Sequence, residues 1–383
     1  MKTETALGVA SVPRHEMAES SRPMVTDSPS EQPKQSGLGA SRPPSGEAPE
    51  HTPAPNRGKV GRWRTRHVLL AVGLVIGLLA ATGFAYQTIA SKVDASRHPA
   101  PGKLVDVGGY RLHLYCTGAA RPGLPTVILE AAWGGTSLDW SKVQSGVAAF
   151  TRVCAYDRAG YGWSDTGRSP RTAGQVVTEL HTLLTRAGVA GPYVLAGHSL
   201  GGLFVRLYAY RYPQQVAGLV LVDSPHEEDE FRWTWTGSAL TTICGVLARF
   251  GIVRPFVSRL GGVGHYPPAA RPSVKAHFSQ TRFCRTYADE GVALEQSAAQ
   301  VRAGRYPLGH LPLVVLTRGV DGKFYQENAG KPVPRSWLTK QRDLVGLSTN
   351  STQIIATRSG HYILLDQPEL VIAAISQVLT GKV

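Results

Sequence analysis

The pentapeptide Gly197-His198-Ser199-Leu200-Gly201 holds a serine in a cluster of glycines. A short apolar run, Tyr193 to Ala196, precedes it, and an apolar helical pattern follows as far as Tyr212, ended by Pro213. A hydroxyl displayed on so sharp a strand-to-helix turn is suited to attack on an electrophilic carbon, and the G-x-S-x-G spacing is that of a nucleophile elbow. The glycines follow from crowding, because a residue in a strained backbone conformation needs small neighbours one turn away. Gly202, the next residue, would let the helix pack closely on the sheet.

A serine hydroxyl is a poor nucleophile until a base takes its proton. Of the 12 histidines, His361 is the best placed, since it ends the run Gln353 to His361 that reads as the last strand. His113, His181 and His198 read as packing, strand or surface positions. A base of this kind needs an acid to fix its tautomer and stabilise its charged form. Asp223 closes the apolar run Gly218 to Ser224, and Asp321 follows the run Leu311 to Gly319 in a Gly-rich loop. A carboxylate closing a nearly all-apolar strand is desolvated unless it has a partner, which favours Asp223 and leaves Asp321 as the alternative. None of the four cysteines has a neighbour at metal-ligand spacing. No phosphate loop or dinucleotide fingerprint is present either, so neither a metal nor an organic cofactor is expected.

These residues need a scaffold. The strings KLVDVGG and RLHLYCTG read as a hairpin around Gly108-Gly109, and strands follow at Thr126–Ala132, Arg152–Gly160 and Tyr193–Ala196. Val176, Val177, Leu180, Leu183, Leu184 and Ala187 recur at helical spacing, and a closing helix is expected from about Glu369 to Leu379. Strands with continuous apolar character, alternating with helices, argue for an α/β fold with a largely parallel sheet covered on both faces. The interval from about 225 to 306 breaks the rhythm and reads as an inserted helical cap over the strand ends. Its Trp233, Trp235 and Phe256 suggest contact with an apolar group, or burial of the cap against the body.

The strings TVILEAAWGGTSLDW, AYDRAGYGWSD, GHSLGG, GLVLVDSPHE and SGHYILLDQPE resemble the α/β-hydrolase superfamily, from about Lys103 to the C-terminus. The resemblance implies a mostly parallel eight-stranded sheet with helices on both faces and an inserted cap, within a domain over 100–383. It implies Ser199 as nucleophile and His361 as general base, with the acid at Asp223 or Asp321. One oxyanion donor would be the N–H of Leu200, and the second that of Ala132 or Trp133, in the loop after TVILE. Many relatives open that loop with His-Gly, whereas this chain has Glu130-Ala131-Ala132-Trp133. Asp157 and Arg158, in the string YDRAGYGWSD, read as a structural ion pair. The function so implied is hydrolysis of a carboxylic ester or related small-molecule acyl compound through an acyl-enzyme. Acyl transfer, thioester, amide or C–C cleavage on the same triad stay open, as does a non-catalytic ligand-binding protein with this fold.

Residues 1–60 hold many Pro, Ser, Glu and Ala and no Trp, Tyr or Phe, a composition that reads as disordered. Lys59, Arg62, Arg64 and Arg66 then precede a stretch from Val68 to Ser91 without a charged residue, long enough for one transmembrane helix over 67–91. The basic flank implies a single-pass protein with a cytoplasmic N-terminus and an extracytoplasmic catalytic domain. An uncleaved anchor is favoured over a cleaved signal peptide, because the charged region before it is about 60 residues long. The formal charge of +14 does not point to nucleic acid, since no Lys/Arg stripe interleaves with aromatics. An outward-facing domain meets an oxidising space, so Cys116–Cys154 and Cys244–Cys284 are candidate disulfides, with four buried thiols as the alternative.

Overall fold

The structure, a computed structural model, describes residues 57–260, 262–323 and 331–383. It opens on helix α1 (Arg57–Arg97), which contains the expected span over 67–91. The helix takes in residues 57–60, and the rest of the expected disordered tail lies outside the described residues.

Beyond α1, eight strands form one sheet in the order β1-β2-β4-β3-β5-β6-β7-β8. β1 (Lys103–Asp106) and β2 (Arg111–Thr117) form the expected hairpin, turning at Gly108 and Gly109 with φ of 121° and 99°, where a side chain would be strained. β2 runs antiparallel to β4 (Val153–Tyr156), and every later pairing is parallel. The inner strands β3 (Thr126–Glu130), β5 (Tyr193–His198), β6 (Val216–Val222) and β7 (Leu313–Arg318) are apolar on both faces because helices cover both. β8 (Ser351–Ala356) forms the far edge.

On one face, α2 (Ser141–Ala148), α11 (Ile363–Asp366) and α12 (Pro368–Thr380) bury Val143, Val147, Ile363, Ile375 and Val378 against the inner strands. On the other face lie α3 (Ala173–Arg186), α4 (Leu200–Arg211), α9 (Leu294–Gly304) and α10 (Arg335–Val345). α3 follows directly from its spacing: Val176, Val177, Leu180, Leu183 and Leu184 are all buried, and Thr172 caps its first turn.

The stretch from about 225 to 306 is helical, as expected of a cap, with α5 (Trp235–Arg249), α6 (Val257–Leu260), α7 (Arg271–Phe278) and α8 (Thr281–Val292). Its last helix, α9, belongs to the body instead. Ser297 and Gln300 accept the amides of Ala173 and Gly174 at the start of α3. Both cysteine pairs are joined: Cys116 lies opposite Cys154 in the β2–β4 register, and Cys244 ties α5 to α8.

Candidate active site

Ser199 sits between β5 and α4 with φ 51° and ψ −126°, a conformation rarely adopted by a residue with a side chain. The turn is held by the Ser199 amide on the Val222 carbonyl at 2.9 Å and the Gly202 amide on the Ser199 carbonyl at 2.8 Å. Each glycine of the elbow then has its own reason. A Cβ at Gly197 would lie 2.5 Å from the Gly201 oxygen, and one at Gly201 would lie 2.6 Å from the carbonyl oxygens of both Glu130 and Ala131. At Gly202 it would strike the Ser224 hydroxyl. The close approach of Gly201 brings the loop after β3 against the start of α4.

Asp223, one residue past β6, also has positive φ (45°) and is fully buried. Its Oδ2 lies 2.5 Å from His361 Nδ1 and 2.9 Å from an Arg318 guanidinium nitrogen. Its Oδ1 accepts the Arg318 amide at 3.2 Å and the Trp337 indole N–H at 3.0 Å. Burial pushes this carboxyl up, but the His361 hydrogen bond and the charges of His361 and Arg318 outweigh it, so its pKa falls below the usual value. Asp321 is not brought to His361. It is about half exposed (45%), with Arg318 3.4 Å away as its partner. Sequence reasoning passed over Arg318 and Trp337. Arg318 ends β7 beside Asp223, but Trp337 arrives from α10 and has no local signature.

His198 is buried beside the elbow, and its Nε2 lies 2.9 Å from the His361 carbonyl. A carbonyl only accepts, so Nε2 carries the proton. Burial first, and the nearby His361 second, lower the His198 pKa to about 3, so the ring stays neutral. It therefore positions the loop carrying His361 rather than exchanging protons.

Asp157 and Arg158 do not form the ion pair with each other that their adjacency suggested. Asp157 meets the His113 ring at 2.9 Å and the amides of Ser137 and Trp163, which fixes the loops around β4. Arg158, only 1% exposed, reaches Glu130 at 2.8 Å, the carbonyls of Ala131 and Ala132, and Glu290 of α8 at 2.8 Å. Consecutive residues at a strand end point to opposite sides, so each takes a separate partner. One buried guanidinium thus fastens the loop after β3 to the cap. Trp133, in that loop, stacks on Tyr287 of α8 at 4.2 Å and donates its indole N–H to the Tyr287 carbonyl.

Ser199 and His361 line a cavity of about 410 Å³ beneath the cap, with Ala132 and Trp133 in its wall and Val253, Phe278, Phe283 and Tyr287 among its apolar lining. A second cavity of about 460 Å³ shares Trp133, Ser199, Lys323 and His361 and adds Asp229, Arg318 and Asp321. The Leu200 N–H opens α4, where the helix itself supplies no acceptor. Asp139 also faces the first cavity. It accepts from the Tyr266 hydroxyl at 2.8 Å, and burial pushes its pKa up to about 6. Among the described residues, no group of three or more His, Cys, Asp or Glu side chains could hold a metal ion.

Residues 125–238 match the family described as alpha/beta hydrolase fold. The uncharacterized protein YqjL of Bacillus subtilis (strain 168) is 27% identical over 254 residues, covering 66% of this chain and 83% of that protein. The enol-lactonase from Burkholderia xenovorans LB400 shares the fold with a TM-score of 0.55 at 18% identity, over 73% of this chain and 100% of that one. A thermophilic esterase from Thermogutta terrifontis gives a TM-score of 0.53 at 20% identity, over 72% and 96%. The likeness in sequence over residues 125–238 and the likeness in architecture agree on the α/β-hydrolase fold.

Proposed function

We propose that the protein is a serine hydrolase that cleaves a carboxylic ester or related acyl compound through Ser199, His361 and Asp223. The observation that carries this reading is the contact of His361 Nδ1 with the buried Asp223, beside a cavity lined by both Ser199 and His361. With Nδ1 donating to the carboxylate, Nε2 is left as the acceptor for the serine proton. The Ser199 Oγ adds to the carbonyl carbon as its proton passes to Nε2. The resulting oxyanion takes hydrogen bonds from the N–H of Leu200 and of Ala132 or Trp133. Collapse expels the alcohol, which leaves with the proton from His361. Water, deprotonated by His361, then attacks the acyl-enzyme, and the acid departs as Ser199 regains its proton.

The two cavities that share Ser199 suit the two halves of such a substrate, an acyl chain under the cap and the other portion toward Asp229 and Arg318. We place the catalytic domain outside the membrane crossed by α1. Four basic residues flank the N-terminal side of the apolar stretch, and two disulfides suit an oxidising space.

A membrane-impermeant fluorophosphonate applied to intact cells tests both parts. Labelling of the full chain, lost in Ser199→Ala, is the expected result. No Ser199-dependent labelling of folded protein, even after lysis, would sink the hydrolase reading. Labelling only after lysis would keep it and reverse the orientation.

A further inference from the structure

The cap differs from the body in what it shows to the outside. Trp235 is 81% exposed, Leu240 67%, Ile243 54% and Phe256 53%, with Val246 and Ile252 also exposed between them. From Trp233 to Ala248 there is no charged side chain, and residues 231–288 hold eight Lys and Arg but no Asp or Glu. Trp235 and Phe256 thus do not bury the cap against the body. A helix with an exposed apolar face, set in a wholly basic segment, has the composition of an element lying in a membrane interface.

The position of α1 gives this face an occupant. Its most apolar 18-residue stretch has a mean hydropathy of 2.5 and is wholly unburied, as a lipid-facing span would be. Near its C-terminal end the same helix packs on the cap. A Cβ at Gly83 would lie 2.9 Å from the Phe250 oxygen, and one at Gly251 would lie 2.6 Å from the Tyr86 ring. Gln87 donates to the Ser279 carbonyl at 2.9 Å and accepts from Arg254 at 2.7 Å, and Arg254 also holds Asp94 at 2.7 Å. A bilayer core takes about 20 residues of helix, and a span begun at Val68 ends near Gln87. The C-terminal end of α5 is therefore fixed at the level where α1 leaves the hydrocarbon. Just inside that apolar face, Cys244, Val253 and Val257 line the cavity that holds Ser199.

We propose that the cap is seated in the bilayer that α1 crosses, with the outer face of α5 in the boundary between headgroups and acyl chains, and that the Ser199 cavity takes its acyl substrate from the membrane. This rests on the anchor and hydrolase readings above. The bound phase is a lipid surface, and the basic segment favours one containing anionic lipid.

The test uses the full chain in vesicles of phosphatidylcholine and phosphatidylglycerol, with a phosphatidylcholine carrying a diazirine on its acyl chain. Photolabel mapped by mass spectrometry should fall on 68–87 and also on 235–256. Label on α1 alone overturns the proposal, and a detergent-stable dimer dispersed by Leu240→Glu with Ile243→Glu would then assign the face to a second copy. Label on neither helix overturns the anchor reading together with the proposal. In the same vesicles the double substitution should lower hydrolysis of bilayer-dissolved p-nitrophenyl palmitate by roughly tenfold, with water-soluble p-nitrophenyl acetate unchanged. An equal effect on both esters overturns delivery from the membrane. A wild-type chain inactive on both would instead count against the hydrolase reading, and the label map still decides the seating of the cap.

Discussion

The body and the cap meet at Ser199 but are held by different physics. In the body, hydrogen bonds hold the polar groups around the site: the buried Asp223 with His361, Arg318 and Trp337, and the buried His198 with the His361 carbonyl. In the cap, aromatic stacking and one disulfide join scattered polar ties such as Arg158–Glu290 and Tyr266–Asp139, and much apolar surface stays uncovered. Hydrogen bonds to charged groups fix atoms within tenths of an ångström, whereas apolar contacts tolerate sliding. On the proposed reading, the chemistry would sit where geometry is rigid, and the choice of substrate where surfaces can adapt.

The largest effect should come from breaking the body's side of this contrast. Asp223→Asn should lower kcat by on the order of 10⁴, because the imidazole loses the partner that sets its tautomer. Asp321→Asn should change it by less than about twofold, since that half-exposed side chain pairs with Arg318 rather than with His361. Steady-state kinetics on folded variants decide it, and a reversed pattern would move the acid to Asp321.

Next in size is the link between the two regions. Arg158→Met leaves Glu130 and Glu290 buried without their counter-charge, and should cost about 3–5 kcal/mol in denaturant titration. A loss below about 1 kcal/mol would mean that the cap does not depend on this arginine.

The smallest effect sharpens the boundary itself. Asp139, whose pKa is about 6 against an ordinary 3.8, holds its proton to higher pH in the fold than in the unfolded chain. Its contribution to stability is present below the unfolded value and is lost as pH rises through about 6. Asp139→Asn should thus stabilise the protein at pH 8 by up to about 3 kcal/mol relative to its effect at pH 4. Unfolding midpoints at the two pH values test this, and a pH-independent effect would contradict it.

Much of the body could be read from local strings, because its causes are local. Continuous apolar runs gave buried strands, the elbow glycines belong to one recognisable string, GHSLGG, although Gly201 and Gly202 answer contacts with Glu130, Ala131 and Ser224, and the desolvation argument at Asp223 used one strand end. In the fold that carboxylate meets Arg318, Trp337 and His361. What escaped the sequence depends on distant partners. Arg158 pairs with Glu290, 132 positions away, so adjacency suggested Asp157 instead. The basic character of the cap was visible as composition, but its meaning appears only once α1 is seen against it. Trp235 illustrates the limit: burial is the ordinary fate of a tryptophan, and only the fold shows it exposed.

The seam between α1 and the cap has a practical side. A chain cut at Ala95 to obtain a soluble enzyme would remove Gln87, Ser91 and Asp94, the three side chains of α1 that Arg254 meets. It would also uncover Gly251 and the Ser279 carbonyl that Gln87 occupies. The remaining domain would keep its sheet and its Asp223–His361 contact, yet the roof over Ser199 would have lost its outer brace. Specificities measured on such a fragment would describe a looser enzyme than the one the full-length chain folds into.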